Sequence, residues 1–119
     1  MEKINLNQKL ALFSDYWNPR IVGELNGQHV KLAKIKGEFI WHSHEHEDEL
    51  FYVVKGILKI EFRDKTVELK QGDMIIVPKG VEHKPSAEEE VHVMLFEPAS
   101  TINTGNIENE RTRKELELL

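Results

Sequence analysis

The amino-acid sequence predicts an all-β fold, an antiparallel sandwich or small barrel, and three observations carry that expectation. Short β-prone runs, ELFYVV, ILKIEF, TVELK, MIIV and VHVMLF, recur through the middle of the chain. Turn signals separate them, among them Lys55-Gly56, Gln71-Gly72-Asp73 and Pro78-Lys79-Gly80. No long helical stretch lies between them. Strands joined by turns alone pair antiparallel, because a parallel pair needs a long crossover, usually a helix.

Taken in order, NLNQKLALFSDY (residues 5–16) sets Leu6, Leu10 and Phe13 at helical spacing behind Asn5, whose side chain can cap the first free amides. A short N-terminal helix is expected there. NPRIVGEL and QHVKLAKI flank Asn26-Gly27, a hairpin signal because a type I′ turn needs positive φ at both central residues. Lys36-Gly37 ends the second of these strands. FIWHSH is then expected as a strand, followed by a polar turn in EHED and the strand ELFYVV. ILKIEF and TVELK form a hairpin around Arg63-Asp64-Lys65, MIIV follows, and VHVMLF is expected after an acidic turn, AEEE. From Thr101 the chain is polar, and ENERTRKELELL has helix-forming composition with Leu116 and Leu119 on one face. A short C-terminal helix is expected there. The organisation read from this pattern is one domain: 1–27 a helix and the first strands, 28–97 the barrel core, 98–119 a polar tail.

Composition narrows the function. A chain of 119 residues, 39% hydrophobic and 31% charged, has room for one core and a well-charged surface. A formal net charge of −5 argues against general attraction to nucleic acid or an anionic membrane. Cysteine is absent, which excludes disulfides, zinc-thiolate sites and thiol nucleophiles. The start, MEKINLNQKLALF, lacks the uninterrupted apolar core of a signal peptide, and no run approaches a transmembrane length, so a cytoplasmic location is expected.

The chemistry concentrates in WHSHEHED, residues 41–48. On a strand, His42 and His44 share one face and Ser43 takes the other, so two imidazoles could reach one metal ion. Glu49 follows His44 by five residues, an odd separation, so it joins that face only if EHED contains a turn or bulge. Taken alone, an H-x-H pair is more often a surface or core pair than a metal site, and an acidic run is more often a solvated loop. His46 is read as the loop's exposed histidine; His29 and His92 are read as structural or surface groups. The phase of VHVMLF leaves His92 either inside with Met94 and Phe96 or pointing outward, and Lys34 is equally open. ELFYVV places Glu49, Phe51 and Val53 on the inner face and Tyr52 outside or at an interface.

Two motifs together resemble the cupin family. The first family motif is G-x5-H-x-H-x3/4-E-x6-G, and Gly37-EFIW-His42-S-His44-EHED-Glu49-LFYVVK-Gly56 follows it with four residues instead of five after Gly37. The second is G-x5-P-x-G-x2-H-x3-N, and Gly72-DMIIV-Pro78-K-Gly80-VE-His83 follows it, with Ala87 in place of the final Asn. Ile57 to Gln71, between them, matches that family's central hairpin. The resemblance implies a double-stranded β-helix, or jelly-roll barrel, in which His42, His44, Glu49 and His83 converge on one divalent metal. Three imidazoles and one carboxylate suit Fe, Mn, Ni, Co, Cu or Zn and disfavour calcium. Such an ion keeps two coordination positions for a small oxygenated molecule, and it acts as Lewis acid or redox centre. The resemblance therefore implies a metal-dependent enzyme of sugar-type isomerase, oxygenase or lyase chemistry; the alternatives are a non-catalytic binder of a sugar or other small ligand, and a metal-free barrel. It also implies a homodimer, for which Trp17, Trp41 and Tyr52 are contact candidates.

Overall fold

A computed structural model of the chain describes residues 1–119. Its elements are a helix α1 (Leu6–Leu10) and strands β1 (Arg20–Leu25), β2 (Gln28–Glu38), β3 (Glu49–Lys55), β4 (Leu58–Phe62), β5 (Thr66–Leu69), β6 (Met74–Val77) and β7 (His83–Pro98). Asn5 caps α1 by accepting a 2.9 Å hydrogen bond from the Gln8 amide. Asn26 and Gly27 both take positive φ, 50° and 76°, as the β1–β2 hairpin turn requires.

All ladders are antiparallel. Strands run in the order β1-β2-β7-β3-β6, and β4 joins this path by pairing with β7 on one side and β5 on the other. The long strand β7 therefore serves both walls of the jelly roll. Its first part, His83 to Ser86, pairs with β4, and its last part, from Val91, pairs with β2 and β3. Between the two, Glu88, Glu89 and Glu90 stand exposed, while the register jumps from Gly37↔Ala87 to Ile35↔Val91. The acidic AEEE run is thus a bulge inside one continuous strand and not a turn between two. A bulge lets the strand bend from one wall to the other without ending.

Two other sequence expectations are corrected. FIWHSH is not a strand: only His42 pairs, in an isolated antiparallel bridge to His83. The His42 ring takes the Ile40 carbonyl at 2.9 Å, a group that a ladder would have used. The C-terminal segment holds no helix. Its polar groups are bound from outside the segment or across it: Leu119 N–H donates to Ile21, Ile21 N–H donates to Glu117, and Leu118 lies beside Ile21 in a parallel bridge. The tail thereby covers the otherwise free edge of β1, and such an edge left open invites pairing with other chains.

Apolar side chains sort into two clusters on either side of the β2-β7-β3 wall. The larger fills the barrel and includes Ile35, Phe51, Val53, Leu58, Ile60, Val93 and Leu95. The smaller lies outside that wall, where Leu10 and Phe13 of the N-terminal segment cover Val22 and Leu32. Strand alternation produces the division: Glu49, Phe51 and Val53 of β3 are buried inward, while Leu50, Tyr52 and Val54 are half-buried on the other face. No helix is long and apolar enough to cross a membrane.

Candidate metal centre

The site is assembled at one end of the barrel by three short pieces of chain. His42 and His83 exchange backbone hydrogen bonds, His42 N–H to His83 at 3.1 Å and His83 N–H to His42 at 2.9 Å, which brings their rings to 4.3 Å between centroids. The His44 carbonyl accepts from Gly80 N–H at 2.8 Å, anchoring the second histidine to the Pro78–Gly80 turn. Asp48 accepts from Lys79 N–H at 2.9 Å and closes EHED, after which Glu49 opens β3 facing inward. One potential ligand atom from each of His42, His44, Glu49 and His83 lies within 4.8 Å of the others, and all four residues are buried. His46 lies outside the group, with its side chain 79% exposed.

The tail braces the histidine segment from behind. Ser43, between His42 and His44, donates from its amide to Asn106 Oδ1 and accepts from Asn106 N–H, both at 2.9 Å. Gly105 next to it has φ +56°, and a Cβ there would stand 2.1 Å from the Ser43 carbonyl oxygen. Only glycine permits so close an approach.

Protonation follows from these contacts. The Nδ1 atoms of His42 and His83 face the Ile40 and Val81 carbonyls at 2.9 and 3.0 Å. Donation there places a proton on each Nδ1 and leaves Nε2 as the ring atom that faces the centre. Burial, reinforced by the neighbouring His83, lowers the His42 pKa to about 4, so its ring is neutral at pH 7. For Glu49, burial acts upward, but the His44 and His83 imidazoles facing its carboxylate outweigh it and hold it well below the usual carboxylate range. Glu49 Oε1 is 3.3 Å from His83 Nε2 and 3.4 Å from His44 Nε2.

A divalent transition metal fits this donor set. Both ring nitrogens of His44 are buried without a hydrogen-bond partner, an arrangement that costs free energy unless something else satisfies it. Coordination would do so. Neutral imidazoles and an ionised carboxylate are the protonation states that metal binding needs.

A family model described as "Cupin domain" matches residues 28–97, more than half of the chain. The chain belongs to the cupin family. Among solved structures, this cupin is similar to a cupin-2 domain containing protein from Shewanella frigidimarina, with 49% identity and a TM-score of 0.79 over 80% of this chain and 93% of that one. It is also similar to protein NMB1881 from Neisseria meningitidis, with 34% identity and a TM-score of 0.76 over 82% of this chain and all of the other, 100%. The uncharacterized protein YdbB of Bacillus subtilis (strain 168) is 45% identical over 64 residues, which span 53% of this chain and 57% of YdbB.

Beside the cluster a pocket opens, walled by Trp17, Phe39, Phe51 and Leu95 and bordered by His42 and Glu49. Trp17 and Phe39 stack at 4.7 Å, and Trp17 Nε1 donates to the Lys36 carbonyl at 2.9 Å, so Trp17 is committed to the pocket wall within this chain. Trp41 lies under the Arg63 guanidinium at 3.8 Å from its ring centre. Of the groups left open by the sequence, His92 is on the outer face, 2.6 Å from Glu90. His29 lies on the same face of β2 as Lys31 and directly opposite Glu97 of β7, with Nδ1 buried and Nε2 3.6 Å from Glu24 at the end of the wall. Lys34 is buried outside the barrel and donates to the Phe13 carbonyl at 2.6 Å.

Two interior residues escape sequence reasoning. Lys31 and Glu97 are buried inside the barrel, Nζ to Oε1 at 2.9 Å, and Glu97 borders the pocket. Their signal was parity: Glu97 shares odd numbering with His83, Val91, Val93 and Leu95, all inward. Burial, together with the Glu49 charge, raises the Glu97 pKa well above the usual range against the pull of Lys31.

Proposed function

We propose that this cupin binds one divalent transition metal (Fe, Mn, Ni, Co, Cu or Zn) through His42, His44, Glu49 and His83 and acts as a metal-dependent enzyme on a small oxygenated molecule. The observation that carries this reading is the buried four-residue cluster bordering a pocket with aromatic walls. The bound metal supplies a Lewis acid or redox centre for an oxygen of the substrate. The chain's own residues prepare that chemistry. The Ile40 and Val81 carbonyls fix the histidine tautomers, Glu49 contributes the one negative charge, and Trp17, Phe39 and Phe51 exclude bulk water. Family and ligands do not choose among isomerase, oxygenase and lyase chemistry, since one fold carries many reactions.

Metal analysis of protein made without a histidine tag tests the first half. About one ion per chain is expected in the wild type and little in His83→Ala; substoichiometric metal in both defeats the reading. Incubation with sugars, organic acids and diphenols, followed by mass spectrometry, tests the second half. Binding without turnover across several reconstituted metals would favour a non-catalytic binder, a reading supported by how few polar groups the pocket offers beyond the cluster. The proposed assembly is a homodimer. Met74 and Ile76 on edge strand β6 are each 55% exposed beside Tyr52 and Leu50, an apolar face that a second copy would cover. Light scattering should give twice the chain mass, and the monomer mass after Ile76→Lys.

A further inference from the structure

Beside the metal cluster the barrel buries one pair of oppositely ionisable side chains, Lys31 with Glu97, each 2% exposed. A buried ion pair is a poor way to stabilise a core, because apolar residues of similar volume serve as well or better. Here the pair is also incompletely used. Glu97 Oε1 meets Lys31 Nζ at 2.9 Å, and Lys31 lies 3.5 Å from the Thr101 carbonyl, but Glu97 Oε2 is buried with no N–H donor, and the carboxyl group of Glu49 is its other polar neighbour. Only one other polar side chain lines the pocket outside the cluster, Asn103, and both ends of its amide are taken, Nδ2 by the Arg111 carbonyl and Oδ1 by the Arg113 amide, each at 2.8 Å. Glu97 is therefore the group left to recognise a ligand that enters beside His42 and Glu49.

We infer that Glu97, braced by Lys31, is a specificity-determining residue that hydrogen-bonds a hydroxyl of a neutral polyhydroxylated carbonyl compound whose other oxygens face the metal cluster. This rests on the metal reading above. Charge decides the ligand class. A carboxylate or phosphate at the same place would meet the Glu97 and Glu49 carboxyl groups, and Lys31 is already engaged. A hydroxyl satisfies the free oxygen and adds no charge to a buried site. The hydrocarbon part of the same molecule would lie against Phe39, Phe51 and Leu95.

The test uses full-length protein loaded with cobalt(II), whose visible absorption reports changes at the metal, titrated with dihydroxyacetone and with hydroxyacetone, which lacks one hydroxyl. Wild type should bind dihydroxyacetone about tenfold more tightly, the cost of leaving one buried hydrogen-bonding group unsatisfied. Glu97→Gln, which keeps a hydrogen-bonding head, should retain part of that preference. The double variant Lys31→Met/Glu97→Leu should bind both probes equally, with cobalt stoichiometry and thermal midpoint close to wild type. Equal binding in wild type, an undiminished preference in the double variant, or a cobalt spectrum that neither probe changes would each overturn the assignment while leaving the metal reading standing. A wild type that takes up no cobalt overturns the metal reading and this inference with it.

Discussion

Lys31 and Lys34 sit three residues apart on β2, both buried, on opposite faces of the same wall. Lys34 points outward and is covered by the N-terminal segment, where its ammonium meets the Phe13 carbonyl and lies 5.1 Å from the centre of the Phe13 ring. A carbonyl and an aromatic face hold the cation, and the Glu90 carboxylate close by balances its charge. Lys31 points inward and meets the Glu97 carboxyl group, whose second oxygen has no N–H donor and which borders both Glu49 and a pocket. The outer lysine fastens a covering segment to the sheet. The inner one holds a charge in a place where packing alone would have preferred none.

Four outcomes sharpen that contrast, from the largest expected effect to the smallest. Lys31→Ala leaves Glu97 buried without its cation, and a loss of about 3–5 kcal/mol is expected in denaturant unfolding; a loss under about 1 kcal/mol would mean that burial and the Glu49 charge already hold Glu97 neutral. The inner face should also be sensitive to acid. His42 titrates at about 4 in the folded protein against the usual 6.5, so between those values the unfolded chain binds more protons and stability rises with pH. The metal-free protein should therefore hold its full stability above about pH 6.5 and lose roughly 3 kcal/mol as pH falls toward 4, and His42→Gln should flatten that slope in pH-dependent melts. On the outer face, Lys34→Met keeps the methylenes and removes one charge-assisted hydrogen bond, for an expected cost of about 1.5 kcal/mol with metal content unchanged. Asn106→Ala removes the acceptor for the Ser43 amide and should cost about 1 kcal/mol, yet it should speed metal loss to a chelator several-fold, whereas Asn106→Asp keeps an acceptor and should restore slow release.

Much of the wall was legible without coordinates. The Asn26-Gly27 turn, the inward set Glu49, Phe51 and Val53, and the Asn5 cap follow from turn chemistry, period-two alternation and capping, each a local rule. Convergence of His42, His44, Glu49 and His83 was legible only through the two family motifs, because parity alone could not bring Glu49 to the histidines. The rest failed where a distant partner outweighs local preference. ENERTRKELELL has the composition of a helix, but the Asn103 side chain takes the Arg111 carbonyl and the Arg113 amide, and Glu117 and Leu119 exchange backbone hydrogen bonds with Ile21. FIWHSH has the composition of a strand, but its partner offers one bridge in place of a ladder.

What the amino-acid sequence determined by itself was the all-β class, the turns that divide the strands, and four metal-suited side chains in two motifs. These rest on interactions a few residues long or on a pattern shared by a family. Only the tertiary structure decided that Lys31 and Glu97 meet inside the barrel while Lys34 and His92 remain outside. That choice hangs on the bulge at Glu88–Glu90, which passes β7 from one wall to the other with its inward parity intact. Which side of a strand is the inside depends on what packs against each face, and strands that pair across dozens of residues settle it together.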